Sequence, residues 1–324
     1  MSAPLLQVEG LRVEFDAGRG VGRPKRFVAV EDVSFDLRAG ETLGLVGESG
    51  SGKSTLARAI LKLVPAVRGR VSSDGENLLA LRGAALRRRR RDLQIVFQDA
   101  PSSLDPRMKV GDTLAEPLEI FEPAVGARER DARIGRMLER VGLSPRMAGS
   151  YPHEFSGGQC QRIAIARAMM SGPKLLICDE AVSSLDVSIQ GQIVNLLQDL
   201  QRETGMAMLF ISHNLAVVRQ VSRRVLVMYR GRLVEAAPRD ALFAAPLHPY
   251  TRELIAAAQS PDEAPARIAP GTADDEPAPG AVAPSGCAFR SRCAYAAPVC
   301  GERAPRLAPV AVEHLVSCHL AAPK

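Results

Sequence analysis

A glycine-rich stretch near the start of the chain constrains the fold more than any other feature of the sequence. It matches the pattern G-x-x-x-x-G-K-[S/T] in full, and its residues are Gly47, Glu48, Ser49, Gly50, Ser51, Gly52, Lys53, Ser54 and Thr55. A predicted strand (Thr42 to Val46) precedes it and a helix-forming run (Leu56 to Leu63) follows, as a phosphate-binding loop requires. Glycines let the backbone wrap a phosphate chain, and N–H groups at the helix start supply partial positive charge. We therefore expect Lys53 to reach the β- and γ-phosphates of a nucleotide and the Ser54 hydroxyl to ligate Mg²⁺.

A second informative stretch runs from Tyr151 to Asp186. It opens with a loop that would leave several backbone N–H groups free, formed by Ser156, Gly157, Gly158 and Gln159. A helix-like run from Cys160 to Met170 follows and is stopped by a Gly-Pro pair. The apolar run from Leu175 to Cys178 is then predicted as a buried strand, and it ends in Asp179 and Glu180. A buried parallel strand that delivers two carboxylates at its C-terminal end is typical of an α/β active site.

The hydrophobic patterns predict an α/β fold. Leu5 to Phe15 and Phe27 to Leu37 alternate like two strands of an antiparallel sheet, and they are separated by a Gly-rich loop. Strands that alternate with helices then imply a parallel sheet with helices on both faces. The polar helical segment at about 99–160 interrupts this alternation, so we expect it to form a separate helical lobe.

Polar residues stand at or just after the C-terminal ends of three predicted strands. Gln98 follows Leu93 to Phe97, the Asp179-Glu180 pair follows its own strand, and His213 comes shortly after Ala207 to Ile211. A lone Gln or His at such a place is usually an ordinary loop residue. Because ligands bind at this edge of an open parallel sheet, their joint occurrence with a complete phosphate loop predicts one shared site.

Composition adds a few limits. The length of 324 residues suits one large domain with a small appendage. No apolar run approaches the ~18 residues of a membrane-spanning helix, and the first ten residues lack the features of a signal peptide, so we expect a cytosolic protein.

The net charge of +6 is mild for a chain of this length. Its densest run, Arg87 to Arg91, is not interleaved with aromatic residues, so it indicates a solvated helix face more than a nucleic-acid site.

Taken in this order, the motifs resemble those of ATP-binding cassette (ABC) ATPases over about residues 5–255. The resemblance implies a P-loop NTPase cassette, with a RecA-like parallel sheet core, an N-terminal antiparallel β subdomain and a helical signature subdomain. It also implies ATP and Mg²⁺ as ligands. By the same resemblance, Asp179 holds Mg²⁺ through water and Gln98 contacts it, while Glu180 polarises the attacking water and His213 touches the γ-phosphate.

The resemblance further implies a dimer, because signature loops of this family act in trans. Ser156 and the N–H groups of Gly157 and Gly158 would bind the γ-phosphate held by the opposite subunit, and the turn that ends at Asp186 matches the D-loop at the interface. The partner would be an identical or a homologous ATPase subunit. Two positions depart from the family pattern, namely Ala181 for a common Pro and Asn214 for a common Asp.

Three segments are similar, more narrowly, to ATPase subunits of bacterial oligopeptide/dipeptide importers: YPHEFSGGQCQR, FQDAPSSLDPRMKVGDTLAEPL and PLHPYTRELI. This similarity implies a peripheral protein on the cytoplasmic face of the membrane, docked through its helical lobe on two integral membrane permease subunits. An extracytoplasmic solute-binding protein would be an indirect partner. Residues 256–324 would form the C-terminal extension of this group, with a linker at 260–285 that is rich in Pro, Ala and acidic residues and is predicted to be extended or disordered. The sequence does not name the cargo.

The extension contains four cysteines, Cys287, Cys293, Cys300 and Cys318. In a cytosolic protein they favour a metal site over disulfides, although their spacing lacks the short pairs of zinc ribbons. Some importer ATPases of this group carry a [4Fe–4S] cluster on a similar tail, and the resemblance implies one here. Zinc and unmetallated thiols remain the alternatives. Cys160 and Cys178 are predicted to be packing residues.

Two alternative functions of the chain, and the role of Phe27, remain open at this point. A soluble ABC ATPase acting on nucleic acid or ribosomes would use the Arg87–Arg91 run, but the single cassette and the tail motif argue against it, and no nucleic-acid partner is expected. A binding subunit that does not hydrolyse ATP is disfavoured by the intact Glu180 and His213. Phe27 either stacks on the adenine base or belongs to the core.

Overall fold

The computed structural model describes residues 4–16, 26–259 and 286–321. Most of the predicted Gly-rich loop after Asp16 and the predicted linker at 260–285 lie outside the described residues. The strands are β1 (Leu6–Asp16), β2 (Arg26–Leu37), β3 (Thr42–Val46), β4 (Arg68–Ser73), β5 (Glu76–Asn77), β6 (Leu93–Val96), β7 (Leu175–Asp179), β8 (Ala207–Ile211), β9 (Arg224–Tyr229), β10 (Arg232–Pro238), β11 (Ala308–Ala311) and β12 (His314–Val316). The helices are α1 (Lys53–Ile60), α2 (Gly83–Asp92), α3 (Ala100–Ser103), α4 (Val110–Phe121), α5 (Ala127–Arg140), α6 (Gly157–Met169), α7 (Val187–Thr204), α8 (Leu215–Val221), α9 (Arg239–Ala244), α10 (Pro249–Gln259) and α11 (Pro298–Glu302).

The chain is organised as two compact units. The first consists of Met1–Leu37, Thr42–Leu79 and His213–Lys324, and the second of Arg38–Glu41 and Ala80–Ser212. The predicted division of the sequence into 5–255 and 256–324 stays a prediction.

The first unit contains an antiparallel sheet in the order β2-β1-β4-β5. The predicted pairing of β1 with β2 is confirmed, with Leu6 opposite Leu37 and Phe15 opposite Phe27. Leu6, Val8, Leu11 and Val13 of β1 are buried, because inward side chains of a strand lie on one face, whereas Phe15 near its end is exposed. Its partner β4 runs antiparallel on the other side.

A second sheet of the first unit has the order β11-β12-β10-β9-β3. Strand β3 runs parallel to β9, and β9 and β10 form an antiparallel hairpin. Arg230 and Gly231 have φ angles of 43° and 81°, which suits the left-handed residues of a tight hairpin turn. Strand β12 of the C-terminal extension pairs antiparallel with β10, so the extension continues this sheet.

The second unit contains three parallel strands in the order β8-β7-β6. Every residue of β7 and β8 is buried, as expected for parallel strands covered on both faces. The long helix α7 buries one apolar stripe, which includes Ile193, Leu197 and Leu200. Helices α3 to α6 occupy the segment for which a helical lobe is predicted. The parallel strands and the antiparallel sheet confirm the predicted α/β cassette fold.

None of the helices that the structure describes combines the length and the apolar character that crossing a bilayer requires. The basic run belongs to helix α2, which buries none of its side chains. Two of its arginines form ion pairs, Arg89 with Asp92 at 3.7 Å and Arg91 with Glu122 at 2.6 Å. These contacts agree with the predicted solvated helix face.

Candidate functional site

The phosphate loop connects β3 to α1, and close backbone packing requires two of its glycines, Gly47 and Gly52. A Cβ atom on Gly47 would lie 2.2 Å from the carbonyl oxygen of Met228. Gly52 has a φ of 102°, and a Cβ there would lie 2.3 Å from the carbonyl oxygen of Ala29. Only glycine satisfies both conditions, so the loop is held against neighbouring strands of its own unit.

Lys53 is the first residue of α1 and is only 4% exposed. Its Nζ donates hydrogen bonds to the carbonyl oxygens of Gly47 at 2.8 Å and Glu48 at 3.0 Å. No side chain caps the start of α1, and the Ser51 hydroxyl is buried without a hydrogen-bond partner among the described residues. A helix start with uncapped N–H groups beside a lysine and a glycine cradle fits a phosphate chain with its Mg²⁺.

The two predicted catalytic carboxylates lie in the second unit, at the C-terminal end of β7. Asp179 is 2% exposed, and Glu180 is also buried. Glu180 has a φ of 52°, a left-handed conformation that is uncommon outside glycine. Its N–H donates to the carbonyl of Ile211 at 3.0 Å, and its carbonyl accepts from the Ser183 hydroxyl at 2.9 Å. These bonds hold a strained turn at the position predicted for water activation.

Gln98 and the D-loop turn lie at the same edge of the second unit. Gln98 is exposed after β6, and its carbonyl accepts a hydrogen bond from the Ser184 hydroxyl at 3.4 Å. Asp186 is the exposed N-cap of α7, and its carbonyl accepts from the backbone of Ile189 at 2.9 Å. The structure thus brings Gln98 close to the turn that follows Glu180.

The signature loop forms the start of α6. Ser156 is the N-cap residue, and its side chain accepts from the N–H of Gln159 while the Gln159 side chain accepts from the N–H of Ser156 at 2.9 Å. This capping box gives Gln159 a structural task that sequence reasoning had not assigned to it. A Cβ on Gly158 would lie 2.7 Å from the side chain of Ile189, so α6 and α7 approach too closely there for a larger residue.

His213 and the phosphate loop belong to the first unit, whereas Gln98, Ser156 and the carboxylate pair belong to the second. His213 is exposed, and Asn214 follows it as the N-cap of α8. The Asn214 side chain accepts from the N–H groups of Ala216 at 3.1 Å and Val217 at 3.3 Å. Since Asn and Asp cap helices about equally well, this contact accounts for the departure at residue 214.

The remaining aromatic candidate, Phe27, is half-buried and stacks on Phe15 with ring centroids 6.5 Å apart. Its predicted role at the adenine base therefore stays a prediction. The other departure from the family pattern, Ala181, is buried directly after the strained turn.

The C-terminal extension draws its cysteines toward one another. The N–H of Cys287 donates to the carbonyl of Cys300 at 2.7 Å. Burial raises the pKa of the Cys287 and Cys293 thiols, and neighbouring thiols, including that of Cys318, raise the pKa further. Within the described part of the chain, no three His, Cys, Asp or Glu side chains form a group that could hold a metal ion. The arrangement of these described side chains therefore does not itself provide a ligand set for a metal ion or a cluster. Both Cys160 and Cys178 are buried.

A buried carboxylate that sequence reasoning missed fastens the PLHPY segment. Glu235 on β10 is 0% exposed and accepts from the backbone N–H groups of Leu247 and His248, each at 2.9 Å. His314 Nε2 lies 2.8 Å from the same carboxylate. The signal in the sequence is one acidic residue inside an otherwise apolar strand, because a buried charge needs partners.

Comparison with known proteins extends these observations. A family profile described as ABC transporter matches residues 30–183, and one described as oligopeptide/dipeptide transporter, C-terminal region, matches residues 234–300. The chain is 51% identical to the probable peptide ABC transporter ATP-binding protein y4tS of Sinorhizobium fredii, over 100% of this chain and 92% of that protein. It is 48% identical to the oligopeptide transport ATP-binding protein OppF of Salmonella typhimurium, over 97% of this chain and 95% of that protein.

A longer relative and two solved structures are also similar. The glutathione import ATP-binding protein GsiA of Pectobacterium atrosepticum is 54% identical over 78% of this chain and 41% of its own length. The cassette MJ0796, in a dimeric post-hydrolysis state bound to ADP and Pi, aligns with a TM-score of 0.65 and 28% identity, over 72% of this chain and 98% of that chain. CbiO1 of Clostridium perfringens, part of the ABC transporter complex cbiONQ, aligns with a TM-score of 0.64 and 25% identity, over 75% of this chain and 92% of that chain.

Proposed function

The chain belongs to the ABC family of transporter ATPases, and on this basis we propose that it powers a membrane importer of peptides or related small solutes by hydrolysing ATP. The observation that carries the proposal is the presence, in one chain, of a complete phosphate loop and a C-terminal region of the oligopeptide/dipeptide type. Relatives that are about half identical along their whole length bear peptide and oligopeptide transport names.

The phosphate loop is proposed to bind the triphosphate of ATP. Its backbone N–H groups and the start of α1 would hold the phosphate oxygens, and Lys53 would exchange its two carbonyl partners for the β- and γ-phosphates. The residues that would hold Mg²⁺ are Ser54, Gln98 and Asp179. When bound, Mg²⁺ neutralises negative charge on the phosphates.

Hydrolysis then needs an oriented water and a stabilised γ-phosphate. Glu180 is proposed to accept a hydrogen bond from the attacking water, whose oxygen bonds to the γ-phosphorus as the bond to the ADP oxygen breaks. His213 is proposed to donate to the γ-phosphate. Phosphoryl transfer depends on positioning and charge neutralisation more than on covalent catalysis. In this proposal Glu180 positions the water and His213 neutralises charge on the γ-phosphate.

The working form is proposed to be a head-to-tail dimer with an identical or homologous ATPase subunit. Ser156, Gly157 and Gly158 would contact the γ-phosphate bound by the partner's loop. The dimeric state of a similar cassette supports this proposal. The dimer would sit on the cytoplasmic face of the membrane, on two integral membrane permease subunits that receive solute from an extracytoplasmic binding protein.

A [4Fe–4S] cluster on the extension is proposed separately. Its support is the presence of four thiols in one segment. Because the described residues do not gather three of them into a ligand group, assembly of the cluster would have to bring the thiols together. Anaerobic purification followed by iron and sulfide assays tests it. Brown protein with about four iron atoms per chain is expected for a [4Fe–4S] cluster, and colourless, iron-free protein would exclude the cluster.

The ATPase proposal predicts that Lys53→Ala abolishes MgATP binding and hydrolysis, because the loop from Gly47 to Thr55 contains no other cationic side chain. ATP titration measures binding, and phosphate release measures hydrolysis.

Co-purification of the wild type with integral membrane proteins would support the role in an importer. Salt-sensitive retention on DNA or RNA without such partners would instead favour the nucleic-acid ATPase.

A further inference from the structure

An arginine of the C-terminal extension lies directly on the phosphate loop. Nη1 of Arg292 is 3.0 Å from both carboxylate oxygens of Glu48, which is 244 residues away in the sequence. Its Nη2 is 3.1 Å from the carboxylate of Glu253 on α10. The guanidinium also lies 5.8 Å from the ring centroid of Tyr229 and 5.5 Å from that of Phe289. Ion pairs with two carboxylates and contacts with two aromatic rings therefore fix this one side chain.

The backbone of the same loop residue is fastened by a tyrosine. The hydroxyl oxygen of Tyr250 accepts a hydrogen bond from the N–H of Glu48 at 2.9 Å. The Tyr250 ring is fully buried and packs on Tyr229 and Phe289, with centroids 4.6 Å and 5.6 Å away. Since these rings come from β9, α10 and the extension, Tyr250 is a rigid anchor for the loop.

Glu48 is consequently held at each of its polar groups. Arg292 holds its carboxylate, Tyr250 holds its N–H, and its carbonyl accepts from Lys53 Nζ at 3.0 Å. We propose that Arg292 and Tyr250 are positioning residues for the ATPase, which keep the phosphate loop in the conformation that binds MgATP. In this proposal the C-terminal extension helps to form the nucleotide-binding site, because Arg292 belongs to it. This inference rests on the proposed role of the Lys53 loop.

Charge gives Arg292 a second effect. Glu48 lies in the loop that receives a triphosphate, and an unpaired carboxylate there would repel it. Arg292 neutralises that carboxylate through Nη1, which lies 3.0 Å from both of its oxygens, while Nη2 reaches the carboxylate of Glu253. One planar guanidinium thus holds two carboxylates with two nitrogens, which the single nitrogen of an ammonium does less well. Loss of Arg292 should therefore weaken nucleotide binding more than it slows the chemical step.

Arg292→Gln tests the proposal in the full-length protein. We expect the Kd for MgATP and the KM to rise about tenfold, which is about 1.4 kcal/mol, while kcat changes little. Arg292→Lys should recover part of the affinity because it restores the positive charge. Arg306→Gln is the matched control, since it removes the same charge from an exposed position of the same extension, and it should bind MgATP as the wild type does.

Two further variants separate positioning from mere stability. In Glu48→Gln/Arg292→Gln the phosphate loop itself carries no unpaired carboxylate, so the affinity of this variant should lie between those of the single Arg292→Gln variant and the wild type. Tyr250→Phe removes only the acceptor hydroxyl and should raise the KM a few-fold with kcat kept. Wild-type Kd values in both Arg292→Gln and Tyr250→Phe would overturn the proposal, whatever their melting temperatures, and so would a double variant no tighter than Arg292→Gln. If Lys53→Ala still binds MgATP, the proposed function fails instead.

Discussion

At the residue scale, the backbone conformation of Glu180 is the most unusual feature of the candidate site. This buried carboxylate has a left-handed φ of 52°, and the turn is held by hydrogen bonds with Ile211 and Ser183. The sequence predicts a carboxylate after a buried strand, and the structure has one there. It does not predict the strained turn, since no local pattern marks a glutamate for a conformation that glycine usually adopts.

Gly158 provides a prediction at this scale. Gly158→Ala should destabilise the folded chain by about 1–3 kcal/mol, because the added methyl group would lie 2.7 Å from Ile189 and overpack the contact between α6 and α7. Urea unfolding followed by circular dichroism measures the change. Gly191→Ala on the exposed face of α7 is the control, with nothing within 4 Å of its new Cβ, and it should stabilise the chain by about 0.8 kcal/mol. Equal unfolding midpoints for both variants would contradict this prediction, because they would show that Ile189 moves aside for the methyl group at no cost in stability.

At the element scale, most strands and helices of the cassette follow from hydrophobic periodicity. β7 and β8 lie where apolar runs predict them. Helix α6 begins at Gly157 instead of the predicted Cys160, because a capping box started by Ser156 outweighs the poor helix propensity of two glycines. The contacts of the extension could not be predicted. Arg292 and Glu48 meet across 244 residues, and no periodicity encodes so distant a pairing.

The PLHPY segment gives a prediction about pH. Burial lowers the pKa of His248 to about 4, and its Nδ1 accepts the N–H of Tyr250 at 3.1 Å. The unfolded chain protonates this histidine below about pH 6.5. The folded chain does so only near pH 4, so this site's contribution to stability should fall as the pH drops through that window, by about 3 kcal/mol at most.

A matched variant isolates the histidine from Glu235 and His314, which lie nearby. His248→Asn keeps an acceptor for the Tyr250 N–H and removes the titration. Free energies of unfolding from urea titrations at several pH values between 4 and 7 should decline less steeply for this variant than for the wild type. Parallel curves would show that His248 is protonated as readily in the folded chain as in the unfolded one.

At the scale of the whole molecule, the segment from Tyr151 to Asp186 is proposed to serve two ATP molecules. Glu180 would complete the site built on Lys53 of its own chain, and Ser156 would complete the site of the partner. The phosphate loop belongs to the first compact unit, and the carboxylate pair belongs to the second. The extension adds a further element, because it touches the phosphate loop through Arg292.

The ATP-dependent dimer is the most direct test of this account. Glu180→Gln should bind MgATP without hydrolysing it, since the amide cannot activate water, and the bound nucleotide should hold two subunits together. Size-exclusion chromatography with light scattering measures the assembly, alone and with a homologous ATPase subunit. The account predicts a dimer with MgATP, a monomer with MgADP, and a monomer under both conditions when Lys53→Ala is added. A Glu180→Gln variant that binds MgATP yet stays monomeric with either partner would contradict it.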